Sequence, residues 1–249
     1  MSRAARHGRA LTAGNPGKDR MQSIGIMGAT GKQGRGLALR LALAGHPVRV
    51  GSRDAERAAQ GAEQLSEDLE KATAAAMSPP AVGEVASGDY AACTECDIVV
   101  VAVPFDGLEA ALAPLASRLA DRVVVSCVNA LGMDGDGPYP HAVVDGSAAQ
   151  LVQRLAGPTA RVIGAFQNIA AGALLDAPVP VTGDVLITGD DPVARQQIAA
   201  LAAEVSALRP VDVGPLRLSR PVEEITAVQL AVNRTYKVTS TLRLEGLGG

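Results

Sequence analysis

Three glycines, Gly28, Gly31 and Gly34, stand three residues apart in GIMGATGKQG, directly after the apolar run Ser23–Met27. Glycine serves where a backbone turns through positive φ or lies against a ligand with no side chain between. A strand, a glycine-rich turn and a helix start form a phosphate cradle, in which the pyrophosphate of a dinucleotide rests on free N–H groups at the helix N-terminus. The customary spacing is G-x-G-x-x-G. Ala29 holds its first position here, and Thr30, Lys32 and Gln33 fill the variable ones.

Further on, the second apolar stretch ends in GSRDAER. An enzyme that reads the ribose hydroxyls of NAD places an acidic side chain there, whereas the 2′-phosphate of NADP requires cations and hydroxyl donors. Ser52 and Arg53 occupy that place, and Arg57 follows in the first helical turn. Arginine suits the task because its planar fork binds phosphate oxygens in pairs. Asp54 reads as the cap of the following helix, so the sequence predicts NADP(H) rather than NAD.

The elements that must position these residues alternate. SIGIM, HPVRVGS, DIVVVAV, RVVVSCV and RVIGAF read as strands. KQGRGLALRLALAG, DAERAAQGAEQLSEDLEKATAAA, FDGLEAALAPLASRLA and SAAQLVQRLA read as helices, with MSPPAVGEVASG and the stretch 129–146 irregular. Strands separated by helices and apolar on both faces mean a parallel sheet covered on each side. The predicted class is α/β: a Rossmann-type doubly wound parallel sheet over residues 21–165, then a small C-terminal α/β domain over 166–249. In the latter, VPVTGDVLITGDDPVARQQIAALAAEVSALRPVDV supplies strand, helix and strand, and PVEEITAVQLAVNRTYK a last helix. A unit of that size buries its own apolar faces poorly, so a homodimer or higher homo-oligomer is expected. Residues 1–20, with five cations against one acid, are expected to form a disordered N-terminal extension.

Composition removes several classes. A net charge of −3 and 2% aromatics give neither the basic footprint nor the stacking platform of a nucleic-acid binder. The longest apolar run, Asp97–Val103, has the length of a buried strand and falls far short of the roughly 20 residues of a membrane-spanning helix. Three cysteines, Cys93, Cys96 and Cys127, with no secretory signal point to a reducing cytoplasm. The C-x-x-C of Cys93 and Cys96 lacks a second ligand pair, so no metal site is expected.

GIMGATGKQGRGLALRLALAGHPVRVGSRDAERA resembles the opening of the NADPH-dependent coenzyme F420 reductases (F420:NADP oxidoreductases), and the similarity continues through VVVAVPFDG, VVSCVNALG, GSAAQLV, ALRPVDVGPLRLSRPVEEITAVQLAVNRTYK and LRLEGL. The resemblance implies an oxidoreductase with two small-molecule coenzymes, NADP(H) and the deazaflavin coenzyme F420, the latter bound in a cleft between the two domains. It implies that Thr30, Ser52, Arg53 and Arg57 hold the 2′-phosphate, that Pro104 lies against the nicotinamide end with Ala130 in a neighbouring loop, and that Ile169 lies near the deazaflavin. Val103, Asn129 and Gln167 are expected to bind the coenzymes beside them, Asn129 at the nicotinamide carboxamide or the deazaflavin carbonyls. The family commonly has His where this chain has Gln167, and a doubled glycine where it has Gly28 and Ala29.

The implied chemistry is direct hydride transfer between nicotinamide C4 and deazaflavin C5, which needs two flat rings held about 3–3.5 Å apart and no nucleophile. The residues agree, since His7, His46 and His141 fall in the extension, after a helix and in a loop, and compose no triad. Asn129 and Asn168 lie near strand ends, where such ligand sites collect, and Asn233 and Lys237 share a helix face. Two other readings stay open. The first unit also resembles atypical short-chain dehydrogenase proteins, including NADP sensors without turnover, although none of Tyr90, Tyr139 and Tyr236 has a lysine four residues later. A related reductase acting on a small imine or ketone is the third.

Overall fold

The computed structural model describes residues 21–74 and 81–247. The expected disorder of residues 1–20 lies outside the described residues. In chain order the elements are Ile24–Met27 (β1), Lys32–Leu43 (α1), Val48–Gly51 (β2), Ala55–Thr73 (α2), Val85–Gly88 (β3), Tyr90–Cys93 (α3), Ile98–Val101 (β4), Leu108–Leu112 (α4), Ala116–Leu119 (α5), Val123–Ser126 (β5), the hairpin Leu131–Met133 (β6) and Pro138–Pro140 (β7), and Ala148–Ala156 (α6). Arg161–Gly164 (β8), Ala171–Leu175 (α7), Thr182–Gly189 (β9), Pro192–Glu204 (α8), Ala207–Gly214 (β10) and Ser219–Tyr236 (α9) complete the chain.

Side-chain alternation along the strands builds two apolar layers. Ile98 and Val100 of β4 face the layer containing α1 and α8, while Val99 and Val101 face the one containing α4 and α6. All four are buried, as strands covered on both sides must be. Eight strands form one sheet in the order β10-β9-β8-β5-β4-β1-β2-β3. From β3 to β8 every pairing is parallel, with Ile24 opposite both Val48 and Ile98. Such an order, with β1 flanked by β2 and β4, puts the ends of β1 and β4 at the topological switch point where Rossmann-type folds bind dinucleotides.

The C-terminal strands join this sheet instead of making a second one. β9 runs antiparallel to β8 through Ile163 opposite Gly189 and Gly164 opposite Thr188, and β10 lies parallel to β9. Their seam is tied by Asp184, fully buried, which accepts two hydrogen bonds from Arg209 at 2.7 and 2.8 Å and a third from the Leu244 N–H at 2.6 Å. The neighbouring guanidinium holds the Asp184 carboxyl below the usual carboxylate range.

Three local expectations are corrected. Val85–Gly88, in the stretch read as irregular, is a strand on the sheet edge, and the loop after Asn129 contains the β6–β7 hairpin. The single helix expected over Phe105–Ala120 is broken into short turns around Pro114, which has no N–H to donate and clashes with the preceding turn. His46 does follow a helix, but it is buried, with Nδ1 3.0 Å from the Gln22 carbonyl and Nε2 2.9 Å from Glu204, so it fastens the α1–β2 turn to the end of α8.

Candidate functional site

The turn between β1 and α1 has a conformation only glycine tolerates. Gly28 has φ +84°, and a Cβ there would stand 2.7 Å from the Ala102 carbonyl oxygen. The Gly31 N–H then donates to the Gly28 carbonyl at 3.0 Å and caps α1 with no side chain. The first turn of α1 carries no acid, so the amides of Lys32, Gln33 and Gly34 present the positive end of the helix with no competing carboxylate. Gly34 is buried, and a Cβ on it would meet the Gly28 carbonyl at 2.5 Å, so this glycine lets helix and strand approach.

A cleft of about 720 Å³ opens over this turn. Gly28, Thr30, Gly31, Lys32 and Gln33 form one wall, and Ser52, Arg53 and Arg57 another. Val103, Pro104 and Asn129 close the far end. Asp54 is the cap of α2, accepting from the Arg57 N–H at 2.8 Å, as its place in the sequence suggested. Both Arg53 and Arg57 are exposed, and among the described residues neither forms an ion pair. Tyr90 stands beside Arg53: burial raises its phenol and the nearby guanidinium opposes the rise.

A second cavity of about 190 Å³ adjoins the first, and Gln33 and Asn129 line both. Gln167, Asn168 and Ile169 line it from the loop after β8, and Thr226 and Gln229 from α9. The partition is hydrogen-bonded: Gln33 Nε2 donates to the Phe166 carbonyl at 3.1 Å, while Asn129 Nδ2 and Thr226 Oγ1 donate to the Gln167 carbonyl at 2.9 and 3.2 Å. Phe166 itself has φ +66°, a conformation sparsely populated by non-glycine residues and concentrated at functional sites.

Around this second cavity, polar atoms lack partners. Asn168 Nδ2 donates to the Asp184 carbonyl at 2.7 Å and Gln229 Nε2 to the Asn168 carbonyl at 3.3 Å, which fixes the sense of both amides. Among the described residues Asn168 Oδ1 and Gln229 Oε1 are left as buried acceptors with nothing to accept from, and the amide nitrogen and oxygen of Gln167 and the Ser240 hydroxyl are unpaired as well. Buried polar groups are normally satisfied, so such a concentration in one wall fits a polar ring system or a shell of ordered water.

Three residues expected at the site are not on its surface. Ala29 and Gly34 are buried beneath the glycine turn, and Ala130 is buried in the α4–α6 layer with its carbonyl accepting from the His141 N–H at 2.8 Å. They support the walls without lining either cavity. Lys237 leaves the helix at φ +57° and is exposed, so it does not share a face with Asn233, whose Oδ1 accepts from the Ser240 N–H at 2.7 Å. His141 packs between the rings of Phe105 and Tyr139, backing the cleft instead of entering it.

Sequence reasoning missed Phe105, Tyr90, Thr226, Gln229 and Ser240 as wall residues. Phe105 directly follows Pro104 and carried a local signal; the others reach the site only through long-range packing. Cys127 lines the cleft, but burial raises its thiol well above the ordinary range and Cys93 is pushed up to about 12, so neither supplies a thiolate.

The family model described as NADP oxidoreductase coenzyme F420-dependent matches residues 23–130. An F420-dependent NADP reductase of Methanothermobacter marburgensis is 33% identical over 213 residues, covering 84% of this chain and 92% of the relative. One from Methanocaldococcus jannaschii is 33% identical over 223 residues, covering 88% and 95%. The chain belongs to the F420-dependent NADP reductase family. Among solved structures, a putative F420-dependent NADP reductase from an Arthrobacter species superposes with a TM-score of 0.72 at 22% identity, covering 90% of this chain and 99% of that one, which shows a shared fold. In this family member the stretch matched by the family model spans the glycine turn, Ser52–Arg57 and the strand ends through Ala130. The second cavity draws on Gln167–Ala171 and α9, beyond that stretch.

Proposed function

We propose that the chain transfers hydride directly between NADP(H) and the deazaflavin coenzyme F420, with NADP(H) in the 720 Å³ cleft and the deazaflavin ring entering the second cavity. The observation that carries this reading is the shared wall: Gln33 and Asn129 line both cavities, so two ligands seated in them would be neighbours across it. The uncapped α1 terminus suits a pyrophosphate, and the exposed Arg53 and Arg57 suit a 2′-phosphate. The two coenzymes, once bound, supply the hydride donor and acceptor carbons.

The chain's own part is positioning. Pro104 and Val103 give the nicotinamide end an apolar wall that excludes water, and Asn129, pinned by the Gln167 carbonyl, holds the partition in place. Asn168 and Gln229 offer acceptors to a ring N–H, and Ile169 packs on the ring. Residues 21–165 carry the nucleotide and 166–249 close over the second ligand. We further infer a homodimer or higher homo-oligomer, supported by the exposed apolar stripe of Val228 and Val232 on α9 with Tyr236 beyond it. Among the described residues no helix is long and apolar enough to cross a membrane. A cytoplasmic location is inferred from cysteine usage, with Cys93, Cys96 and Cys127 all outside any disulfide among the described residues.

A second reading, a small imine or ketone as acceptor, is favoured by the 190 Å³ volume, which lies under the about 300 Å³ usual for a ligand pocket. NADPH deuterated at C4 separates the two. Label recovered at C5 of the reduced deazaflavin supports the proposed reaction; no label there, with turnover of a small carbonyl or imine, supports the second.

A further inference from the structure

Arg40 of α1 is buried, yet no carboxylate accepts from it among the described residues. Its guanidinium donates instead to five backbone carbonyls of one segment: Leu174 at 2.9 Å, Ala177 at 3.1 Å, Ala173 at 2.9 Å, Asp176 at 2.6 Å and Val179 at 2.8 Å. These carbonyls are the C-terminal end of α7 and the loop after it, where a helix presents its negative pole to a cation. Burial lowers the guanidinium pKa, and the nearby Asp176 opposes the effect. Lysine could not replace this pattern, since its point charge lacks the fork that spreads donors over a planar arc.

Arg40 does not act alone on that face. Gln33, Gly36 and Arg40 follow one another at helical spacing, i, i+3 and i+7, on the side of α1 that meets the 166–179 segment. Gln33 grips the Phe166 carbonyl at 3.1 Å. Gly36 allows close approach: a Cβ there would stand 2.6 Å from Leu174 Cβ. Between the grips on Phe166 and on Leu174 lie Ile169, Ala170 and Ala171, which line the second cavity. The N-terminus of the same helix is the phosphate cradle.

We propose that Arg40 is a positioning residue for the second substrate: through the Gln33, Gly36 and Arg40 face, α1 sets the Ile169–Ala171 wall of the second cavity at a fixed distance from the phosphate cradle at its own end. One straight helix of about 18 Å then gauges both ligands, so that their reacting carbons meet without a moving part. This rests on assigning the second cavity to the hydride-exchanging partner of NADP(H).

The test compares the full-length protein with Arg40→Lys and Gly36→Ala, the second of which displaces α7 without touching any charge. Three quantities are read: hydrogen exchange of peptides over 166–179, the NADPH dissociation constant, and the deazaflavin dissociation constant by fluorescence with its KM. Both variants are expected to lose exchange protection within 166–179 and to bind deazaflavin at least about tenfold more weakly, with NADPH affinity within about twofold of wild type. Unchanged protection and deazaflavin affinity would overturn the proposal, and so would a loss of protection across the whole sheet with both coenzymes weakened together, which marks general support. If wild-type protein binds no deazaflavin, the functional reading fails on that ground alone, while exchange at 166–179 in the NADPH complex still decides whether Arg40 sets the wall.

Discussion

Asn129 Nδ2 donates to the Gln167 carbonyl at 2.9 Å, joining the end of β5 to the loop after β8 across the partition between the two cavities. Thr226 of α9 donates to the same oxygen at 3.2 Å. One carbonyl thereby gathers three parts of the chain at the partition across which the proposed ligands would face each other, and it leaves the Gln167 side chain, buried and without a partner among the described residues, as the least constrained group of the wall.

Gln167→His should leave NADPH affinity within about twofold of wild type and change kcat or KM for the second substrate only. Steady-state kinetics with each coenzyme varied in turn, alongside an NADPH binding titration, reads this. A fall in NADPH affinity would contradict the partition described above.

Arg53→Ala should raise KM for NADPH by at least about tenfold, a loss of about 1.4 kcal/mol, while changing KM for NADH little. Arg53 is exposed and without an ion-pair partner among the described residues, so its removal leaves no buried charge behind. Equal losses with both nucleotides would remove the 2′-phosphate assignment.

Gly28→Ala introduces a Cβ 2.7 Å from the Ala102 carbonyl oxygen at φ +84°. Strain at such a position is about 1–3 kcal/mol, and the turn must shift to relieve it. The expected outcome is a lower thermal midpoint together with weaker NADPH binding, followed by calorimetry. Wild-type affinity in a destabilised protein would show that the cradle tolerates a displaced turn.

Glu223 gives the stability curve a pH dependence. Its carboxylate is buried and accepts from the Ala148 and Ala149 N–H groups at 2.8 and 3.0 Å, tying α9 to the start of α6. Desolvation outweighs those bonds and pushes its pKa up to about 7 from an ordinary 4.5. A carboxyl whose folded-state pKa is raised contributes its full stability below 4.5 and loses it as pH rises through about 7. The loss is on the order of 3 kcal/mol, about 1.4 per pH unit across that interval. Denaturant unfolding at pH 5 and pH 8 should show a larger decline for wild type than for Glu223→Gln; identical declines would contradict it.

Much of this was legible in the sequence because the signals were local. The glycine turn, the Asp54 cap, Ser52 and Arg53 at the end of β2 and the doubly apolar strands each depend on neighbouring residues, and each is found where its local chemistry puts it. The strand at Val85–Gly88 was hidden because its side chains are half-exposed on a sheet edge and carry no apolar run. The helix after Pro104 was overread because apolar periodicity passed through Pro114, where the chain cannot continue one. The second cavity was legible only in part: Gln167 and Ile169 came from the resemblance, while Gln229, Thr226 and Ser240 arrive from α9 and beyond through tertiary packing that no local pattern encodes. Arg40, inside an ordinary amphipathic helix, gave no sign of its five carbonyl partners.

The most direct test of the central claim is an absorbance assay of the purified protein with oxidised coenzyme F420, following the deazaflavin band after addition of NADPH, with NADH as the control. Rapid bleaching that depends on enzyme and on NADPH, and is slower by about tenfold or more with NADH, is the expected result. No bleaching by a protein that still binds NADPH would contradict the assignment of the second cavity to the deazaflavin.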